Sequence, residues 1–456
     1  MKKNCYTILS CAVIMLLSLQ KVQGAVVVPL DDPNMRYDGA FYNVVTPTLV
    51  TFNRHQAAVY NNVESGIYGS WINQWVITQT GIRVRFKTTS PTITLTFQKR
   101  TGGGSIGTSP TNGFSVFANG NLINTYSSLS FTINNPSAGN ATLYEVSLPN
   151  LWAVDLIGMS IDDTHALDDP GTLSKPIYVA IGDSKTHGTG QYVSSAKTYP
   201  FQLANLMGWD LHNIAVAGST LGWAMALNIK NQSVDVLTIE LGYNDWEYLS
   251  TNLATMQHEY ERLIDSIRLY QPTAKIFCIT PIVTTDPSGA APYTLDAYRN
   301  MVQNIVSIRM QNDPKIFVIP GPSVSDAGML ASGDVVHLSE GGALTLAQNL
   351  VAPITNPSSI VLTTTATGEA IETAKKKIFI KQLNNVYLTI VIEEEGNYNV
   401  NIYTTNGTLV DSKNDTYLNR GDNTIFWKSS SIKSGSLYLI RIQKGTDALN
   451  ELKYVE

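Results

Sequence analysis

The strongest constraint on the fold is an alternation of short apolar runs with stretches of helical periodicity between about residues 175 and 351. Compact apolar runs are typical of strands that are buried on both faces. In residues 253–270 and 295–310 apolar side chains recur every three or four positions, which predicts helices. The alternation predicts an α/β domain with a parallel sheet, helices on both sides, and ligands at the carboxyl ends of the strands. The predicted strands are 177–181, 211–216, 234–241, 275–280 and 315–319.

The regions on either side of this domain have the period-two alternation of antiparallel strands. Before it, the strand candidates 82–86, 93–97, 114–117, 129–133 and 143–148 predict a β-sandwich, with Gly102–Gly104 at a loop tip. After it, residues 355–373 are rich in Thr, Ser, Ala and Asn and predict a linker. A small β domain then follows, with strands at 378–381, 386–393, 398–403, 424–427 and 437–442 and a hairpin turn at Asn406-Gly407.

The N-terminus has the pattern of an export signal. Lys2 and Lys3 precede a largely apolar run over residues 6–19, and Val22-Gln23-Gly24 offers a cleavage site. A lipoprotein signal ending at Cys11 is the weaker alternative. No later stretch is apolar for the eighteen or so residues that a membrane span needs. We therefore expect a secreted or cell-surface protein with a signal at 1–24. The patterns above place a jelly-roll-like sandwich at 25–170, the α/β domain at 171–354, a linker at 355–373 and a β domain at 374–456.

Composition excludes several partners and cofactors. The 456 residues carry a net charge of −5 without clustered Lys and Arg, so a nucleic-acid partner is not expected. Of the three cysteines, Cys5 and Cys11 leave with the signal and Cys278 remains, which excludes an internal disulfide and a thiolate metal cluster. No zinc-type histidine pair occurs, and we expect neither a metal nor an organic cofactor.

A candidate nucleophile follows the first strand of the predicted sheet. Gly182-Asp183-Ser184 comes directly after the apolar run 177–181, where a hydroxyl would project at the carboxyl edge of the sheet, near the amides of the next helix. The alternative is that Asp183 or Ser184 only caps that helix.

A candidate base and its carboxylate lie three residues apart in Asp334-Val335-Val336-His337. A serine nucleophile needs a base to take its proton and a carboxylate to orient that base. His187 is the rival base because it lies three residues after Ser184, although no acid is evident on its far side. Alternatively, His337 only caps the following helix or fills a surface turn.

Two further residues could stabilise an oxyanion at the same edge. Asn244 follows the third strand in Gly242-Tyr243-Asn244-Asp245, and Gly218 follows the second strand, where its backbone N–H would be accessible. An Asx turn at Asn244 and an ordinary strand-to-helix turn at Gly218 are the alternatives.

These four segments, in this order, resemble the blocks of the GDSL or SGNH hydrolase superfamily over roughly residues 177–351. The resemblance implies a flavodoxin-like three-layer fold and a serine esterase mechanism. It implies catalysis by Ser184, His337 and Asp334, with oxyanion donors from the Ser184 and Gly218 amides and the Asn244 side chain. Lys185 departs from the family motif, which has Leu there. We expect its ammonium to reach solvent rather than to favour an acidic substrate.

The flanking regions also resemble known domains. Residues 81–97 and 113–117 resemble the β-sandwich that precedes the hydrolase domain in a bacterial subset of the superfamily. Residues 400–403, 406–407, 423–425 and 435–442 are similar to C-terminal sorting domains of Bacteroidetes type IX cargo, which implies contact with outer-membrane secretion machinery.

Together these features predict a secreted serine esterase that removes acetyl or other small acyl groups from glycans. Candidate substrate contacts are Lys185, His187, Tyr243 and Trp246, and exposed aromatic candidates for sugar stacking are Trp71, Trp75, Tyr243 and Trp246. A lipid esterase or thioesterase is the enzymatic alternative. A carbohydrate-binding protein or adhesin that keeps the scaffold without activity is the alternative from another class.

Overall fold

The structure is a computed structural model of the full chain. It describes residues 24–56, 59, 73–101, 113–137, 139–247, 253–286, 293–360, 378–383, 386–392, 394–404, 408–427, 432–433, 437–445 and 447–454. The chain divides into two compact units, Met1–Leu362 and Thr363–Glu456. The predicted export signal, the loop tip at Gly102–Gly104, Trp71 and the turn at Asn406-Gly407 lie outside the described residues, apart from Gly24.

Two antiparallel sheets form the N-terminal part of the first unit. Their strands are β1 Ala25–Val27, β2 Arg36–Asp38, β3 Val44–Thr46, β4 Leu49–Thr51, β5 Arg83–Thr88, β6 Thr92–Lys99, β7 Phe114–Ala118, β8 Asn121–Tyr126, β9 Ser130–Asn134, β10 Thr142–Ser147, β11 Val154–Asp162 and β12 Leu167–Asp168, and the short helix α1 spans Asn73–Val76. One sheet has the order β3-β4-β11-β6-β9, with β1 on β11, and the other β12-β5-β10-β7-β8, with β2 on β5. A single apolar cluster includes Leu95 and Leu156 from the first sheet and Val84 and Val146 from the second. The two sheets therefore share one core, and we call them the N-terminal sandwich.

A parallel sheet forms the rest of the first unit. Its strands are β13 Ile177–Gly182, β14 Asp210–Asn213, β15 Val236–Glu240, β16 Lys275–Ile279 and β17 Ile316–Ile319, in the order β14-β13-β15-β16-β17. The helices are α2 Ser184–His187, α3 Tyr199–Met207, α4 Tyr243–Glu247, α5 Leu253–Tyr270, α6 Leu295–Met310, α7 Gly321–Val324 and α8 Glu340–Thr355, with 3-10 turns at Ser195–Lys197, Trp223–Ile229, Ala327–Met329 and Pro357–Ser359.

Alternate side chains of the parallel strands enter two different apolar clusters. Val179 and Ile181 of β13 pack in a cluster with residues of α5 and α6. Tyr178 and Ala180 of the same strand pack with residues of α3 and α8. Burial of successive residues on opposite faces explains why these strands are continuously apolar in the sequence.

Polar contacts join the N-terminal sandwich to the parallel sheet. The guanidinium of Arg83 on β5 pairs with the Asp210 carboxylate at the start of β14. The hydroxyls of Ser115 and Ser194 lie 2.6 Å apart, and the Gly113 amide donates to the Val193 carbonyl over 2.7 Å. The sandwich and the parallel sheet therefore form one compact unit.

The second unit consists of two antiparallel sheets. Its strands are β18 Ile378–Leu383, β19 Tyr387–Ile392, β20 Gly396–Thr404, β21 Leu409–Leu418, β22 Gly421–Phe426, β23 Leu437–Lys444 and β24 Asp447–Tyr454. They pair in the orders β18-β19-β22 and β21-β20-β23-β24. Ile390, Val400 and Ile440 are among the residues of its buried core.

Several strands had no predicted counterpart. β21 and β24 are the edge strands of their sheet and are polar along most of their length, so apolar alternation does not mark them. The predicted linker begins within structured chain, because α8 ends at Thr355 and the 3-10 turn Pro357–Ser359 follows. In the described part of the chain, no helix combines the length and the apolar character needed to cross a membrane.

Candidate active site

The Ser184 hydroxyl lies at the carboxyl end of β13, where the chain turns sharply into α2. The Asp183 side chain caps this helix by accepting from the Lys185 amide over 3.0 Å, and Gly188 ends it in a left-handed conformation. A side chain at Gly182 would meet the Thr186 hydroxyl at 2.1 Å, so glycine is required for the turn. This local sequence puts Ser184 at the rim of the sheet with 8% of its surface exposed.

Asp334 and His337 lie in the loop between the 3-10 turn Ala327–Met329 and α8. Oδ1 of Asp334 accepts the amides of Val336 and His337 over 2.8 and 2.9 Å. The Nδ1–H of His337 donates to Oδ2 of Asp334 over 2.8 Å, which leaves the Nε2 lone pair to accept from the Ser184 hydroxyl over 3.0 Å. The structure therefore brings Asp334, His337 and Ser184 together in one chain of hydrogen bonds, which we call the rim relay.

The environment of Asp334 favours its ionised form. Partial burial opposes ionisation, but the amides of His337 and Val336 and the His337 ring together lower the pKa of Asp334 below its usual value. An ionised Asp334 is an acceptor only, so it holds His337 in the tautomer with the proton on Nδ1. That tautomer is the one that can take a proton from Ser184.

Two residues that the sequence analysis missed hold the His337 loop in place. The Gln191 side-chain amide donates to the Leu338 carbonyl. Gly190 has a φ of +93°, and a Cβ there would lie 2.4 Å from the same carbonyl oxygen and 3.2 Å from the His337 Cβ. The glycine-rich sequence Gly188-Thr189-Gly190-Gln191 was a visible signal, because glycine is favoured where the chain turns sharply or where two backbones come close together.

The predicted oxyanion donors lie on segments that are hydrogen-bonded to each other. Gly218 has a φ of +78°. The Asn244 side-chain amide donates to the carbonyl of Ser219 over 2.8 Å. An amide NH₂ group carries two hydrogens, so this bond uses one of them. Asn244 thus holds the loop on the C-terminal side of Gly218.

His187 is completely buried and has a different set of partners from His337. Its Nδ1 accepts the Ala217 amide over 2.9 Å, and its Nε2–H faces the Asn150 carbonyl at 2.8 Å and the Thr78 hydroxyl at 2.9 Å. Burial, with the Arg54 guanidinium nearby, lowers the pKa of His187 to about 3. The whole His187 side chain is buried where the parallel sheet meets the N-terminal sandwich, so it is not exposed to contact a substrate as predicted.

The expectation that Lys185 reaches solvent is wrong. Its ammonium is fully buried and lies 3.3 Å from Oε1 of Glu240, 3.9 Å from Oδ2 of Asp183 and 4.5 Å from the ring centroid of Tyr243. Burial raises the pKa of Glu240 to about 7 despite the opposing charge of Lys185. Glu240 ends β15, the strand next to β13, and a residue in α2 can reach it only because the two strands are neighbours.

The aromatic candidates for sugar stacking that the structure describes are also buried. Trp75, Tyr243 and Trp246 are 3%, 1% and 5% exposed. Tyr243 donates to Asp286 over 3.3 Å, and the Trp246 indole donates to the Tyr293 carbonyl over 2.9 Å. The expectation that these rings are exposed is therefore wrong, because each packs in an apolar cluster of the core.

Within the described ranges, no group of three or more His, Cys, Asp and Glu side chains is arranged to hold a metal ion. Fold and site together define a class: a parallel α/β domain with a serine, a histidine and an aspartate joined by hydrogen bonds at the carboxyl edge of the sheet.

One family model matches part of the chain. Residues 180–343 match the model of the GDSL-like Lipase/Acylhydrolase family, which confirms the resemblance inferred from the four sequence blocks. No curated protein sequence is significantly similar to the chain. The resemblances inferred for the two flanking regions stay predictions.

Solved structures share the fold at low sequence identity. The salicylyl-acyltransferase SsfX3 from a tetracycline biosynthetic pathway is 18% identical with a TM-score of 0.64, and the match covers 74% of this chain and 98% of that chain. A Bacteroides ovatus protein described as a GDSL-like lipase is 12% identical with a TM-score of 0.59, over 75% and 100% of the two chains. A family two carbohydrate esterase from Clostridium thermocellum is 18% identical with a TM-score of 0.50, over 74% and 100%.

Proposed function

We propose that the protein is a serine ester hydrolase that removes acetyl or other small acyl groups from glycans through an acyl-enzyme. The observation that carries this proposal is the rim relay, in which His337 lies 2.8 Å from the Asp334 carboxylate and 3.0 Å from the Ser184 hydroxyl. Both distances are short enough for hydrogen bonds. His337 is therefore close enough to take the proton of the Ser184 hydroxyl, as a base beside a serine nucleophile must be. The flavodoxin-like three-layer arrangement of this domain is part of the proposal.

In the proposed reaction the Ser184 oxygen attacks the ester carbonyl while its proton passes to Nε2 of His337. The imidazolium that forms is stabilised by Asp334 and then gives the proton to the leaving alcohol as the tetrahedral intermediate collapses. A water molecule next gives its proton to His337 and attacks the acyl-enzyme. Collapse of the second intermediate releases the acid, and the proton returns to the Ser184 oxygen.

The oxyanion of each tetrahedral intermediate would be stabilised by the backbone amides of Ser184 and Gly218 and by the Asn244 side chain. One Asn244 N–H donates to Ser219, and the second is assigned to the oxyanion. Donors held in place before the reaction lose little energy in reorientation, which is why such groups contribute strongly to the rate.

A structural neighbour and the predicted export support the proposed substrate class. The Clostridium thermocellum protein of similar fold is a carbohydrate esterase, and the sequence predicts export, which would give the enzyme access to extracellular glycans. The buried positions of Trp75, Tyr243 and Trp246 remove one earlier reason for expecting a glycan. The choice between glycan and lipid esters therefore depends on the substrate test below.

The first test is hydrolysis of p-nitrophenyl acetate by wild type and by Ser184→Ala. We expect the variant to lose at least about three orders of magnitude in kcat, because it lacks the nucleophile. Ser323→Ala is the matched control, since Ser323 is an exposed serine in α7. Equal rates for wild type and Ser184→Ala would refute the proposal.

The second test separates the proposed substrate from its alternatives. Acetate release from a panel of acetylated polysaccharides is measured alongside a series of p-nitrophenyl esters of increasing chain length. Release of acetate with preference for short chains supports a glycan esterase. Preference for long chains would indicate a lipid esterase or thioesterase. Glycan binding that survives Ser184→Ala, with no turnover of any ester, would indicate a binding protein.

We also propose the domain and export assignments made from the sequence. The catalytic domain would span 171–354, behind a signal at 1–24 and a sandwich at 25–170, with a linker at 355–373 and a sorting-like domain at 374–456 that contacts outer-membrane secretion machinery. Support comes from the division of the chain after Leu362, within the proposed linker. Fractionation of cells that express the full chain, compared with a chain lacking residues 374–456, tests the export role.

A further inference from the structure

The loop that contains Gly218 is held by hydrogen bonds on both sides. Before Gly218, the Ala217 amide donates to Nδ1 of His187 over 2.9 Å. After it, the Ser219 carbonyl accepts from the Asn244 side chain over 2.8 Å. The position of the Gly218 amide therefore depends on His187 and Asn244, which bind the residues on either side of it.

Arg54 of the N-terminal sandwich binds the backbone that leads into this loop. It follows β4 and is 1% exposed. Its Nη1 donates to the Asn213 carbonyl over 2.8 Å and to the Ala215 carbonyl over 2.7 Å. A fork of donors on a rigid, always charged guanidinium suits two carbonyls that are two residues apart.

The other donors of Arg54 bind the sandwich side. Its Nε donates to the Thr78 carbonyl over 2.7 Å, and Nη2 donates to the Trp75 carbonyl over 2.9 Å. Trp75 lies in α1, and Thr78 follows the end of that helix. One guanidinium thus connects a turn of the N-terminal sandwich to the backbone that leads into Gly218.

The opposite sides of the same peptides are bound to the nucleophile strand. The Ile214 amide donates to the Ala180 carbonyl over 3.0 Å, and the Val216 amide donates to the Gly182 carbonyl over 3.1 Å. These are the amides of the two peptide units whose carbonyls Arg54 binds. The segment is therefore clamped between β13, which carries Ser184, and Arg54.

Arg54 also acts on His187, the acceptor for the Ala217 amide. That hydrogen bond requires an unprotonated Nδ1, and burial together with the neighbouring guanidinium keeps the ring neutral by lowering the pKa of His187 to about 3. Arg54 thus restrains residues 213–217, immediately before Gly218, in two ways. It binds the Asn213 and Ala215 carbonyls, and it favours the neutral form of His187 that accepts the Ala217 amide.

We propose that Arg54 is a positioning residue that holds the Gly218 amide in the geometry needed to bind the oxyanion, so that the N-terminal sandwich completes the active site. The proposal rests on the proposed esterase function and deepens it. It explains why a buried arginine satisfied by backbone carbonyls lies at this junction, where a leucine or methionine would fill the space without the cost of desolvating a charge.

The test compares Arg54→Lys with Arg85→Lys in the full chain, using p-nitrophenyl acetate. Arg85 is the matched control because it is another buried arginine of the sandwich. Its Nη1 donates to the Pro170 and Gly171 carbonyls, each over 2.9 Å, and its Nε donates to Asp38 over 2.8 Å. Arg85 therefore binds backbone outside the loop that contains Gly218.

For Arg54→Lys we expect kcat to fall by about 10- to 100-fold with KM within about twofold, because the lost geometry matters only for the oxyanion. Inhibition by a boronic acid, which forms a tetrahedral adduct, should weaken by a similar factor. Arg85→Lys should keep kcat within about twofold. Thermal unfolding of both variants gives the loss of stability against which these rates are compared.

An unchanged kcat in Arg54→Lys, or equal falls in kcat for the two variants, would overturn the proposal. If Arg54→Lys does not fold, Arg54→Gln takes its place. Failure of both to fold, with Arg85→Lys folded, would assign Arg54 to folding alone and also overturn it. An inactive Ser184→Ala alongside a normal Arg54→Lys rejects only the positioning role, whereas an active Ser184→Ala rejects the esterase itself.

Discussion

Two histidines flank Ser184 and differ in almost every physical respect. His337 comes from a loop 153 residues away, keeps 23% of its side chain exposed, and lies between Asp334 and the Ser184 hydroxyl. His187 is three residues from Ser184 but fully buried, and its ring is bound to backbone and to Thr78. Proximity along the chain therefore does not decide which histidine contacts the Ser184 hydroxyl, because His337 makes that contact from a distant loop.

Two aspartates show the same contrast. At the rim, amide donors and His337 outweigh partial burial and lower the pKa of Asp334. Behind the nucleophile, burial raises the pKa of Asp245 to about 7, although the Leu221 amide donates to it over 3.0 Å. The rim therefore favours the ionised form of Asp334, and the buried side favours the protonated form of Asp245. Four experiments test this contrast.

Replacing the two histidines in turn should have the largest effect. His337→Ala removes the base, and we expect kcat to fall about 10⁴-fold with little change in stability. His187→Gln breaks buried hydrogen bonds, so the free energy of unfolding should fall by about 2–4 kcal/mol, while kcat falls by no more than about 100-fold. Ester hydrolysis and urea unfolding measure the two quantities. A larger loss of kcat in His187→Gln than in His337→Ala would reverse the assignment of the base.

Asp334→Asn should come next. The Asn oxygen can still accept the two backbone amides, but the NH₂ group would face Nδ1 of His337 and favour the tautomer with the proton on Nε2. That tautomer cannot accept the Ser184 proton, so we expect kcat to fall about 10³-fold or more with the fold retained. Steady-state kinetics and circular dichroism check both parts. A loss below tenfold would contradict the role of Asp334 in orienting His337.

Asn244→Ala should lower kcat by about 100-fold and leave KM nearly unchanged, because the oxyanion exists only in the transition state and intermediate. The same change frees the Ser219 carbonyl from its partner. Comparison with the Ser184→Ala rate shows how much catalysis remains. A rise in KM at constant kcat would instead assign Asn244 to ground-state binding.

Asp245→Asn should have the smallest effect on activity and should appear in the pH dependence of stability. A carboxyl with a pKa of 3.8 in the unfolded chain and about 7 in the folded protein binds more protons when folded. Its contribution is therefore present below about pH 4 and is lost as the pH rises towards 7.

Urea unfolding between about pH 4 and pH 7 measures that loss. The wild type should lose on the order of a few kcal/mol more than Asp245→Asn across this range. Asp169→Asn is the control, because 70% of the Asp169 side chain is exposed, and its curve should follow that of wild type. Parallel curves for wild type and Asp245→Asn would show that Asp245 is ionised in the folded protein despite its burial.

Much of the fold was predictable because it depends on patterns that are local in sequence. The helices α5 and α6 have the predicted bounds, since each shows one clear apolar face, and all five parallel strands were predicted to within a few residues. The strand predicted at 211–216 ends earlier, at Asn213, where Arg54 binds the carbonyl side of the backbone. No local pattern signals that contact, because its partner lies 159 residues away.

The sequence by itself determined the order of buried strands and helices and the set of polar residues at their carboxyl ends, among them Ser184, Gly218, Asn244, Asp334 and His337. Periodicity and motifs record these features because each depends on a residue and its near neighbours. The tertiary structure alone decided that Lys185 and His187 are buried, that Tyr243 and Trp246 are core residues, and that Arg54 binds the backbone that leads into Gly218. The burial and the charge state of a side chain depend on which distant segments pack against it. For this reason Ser184 and His187, three residues apart in α2, lie in different surroundings.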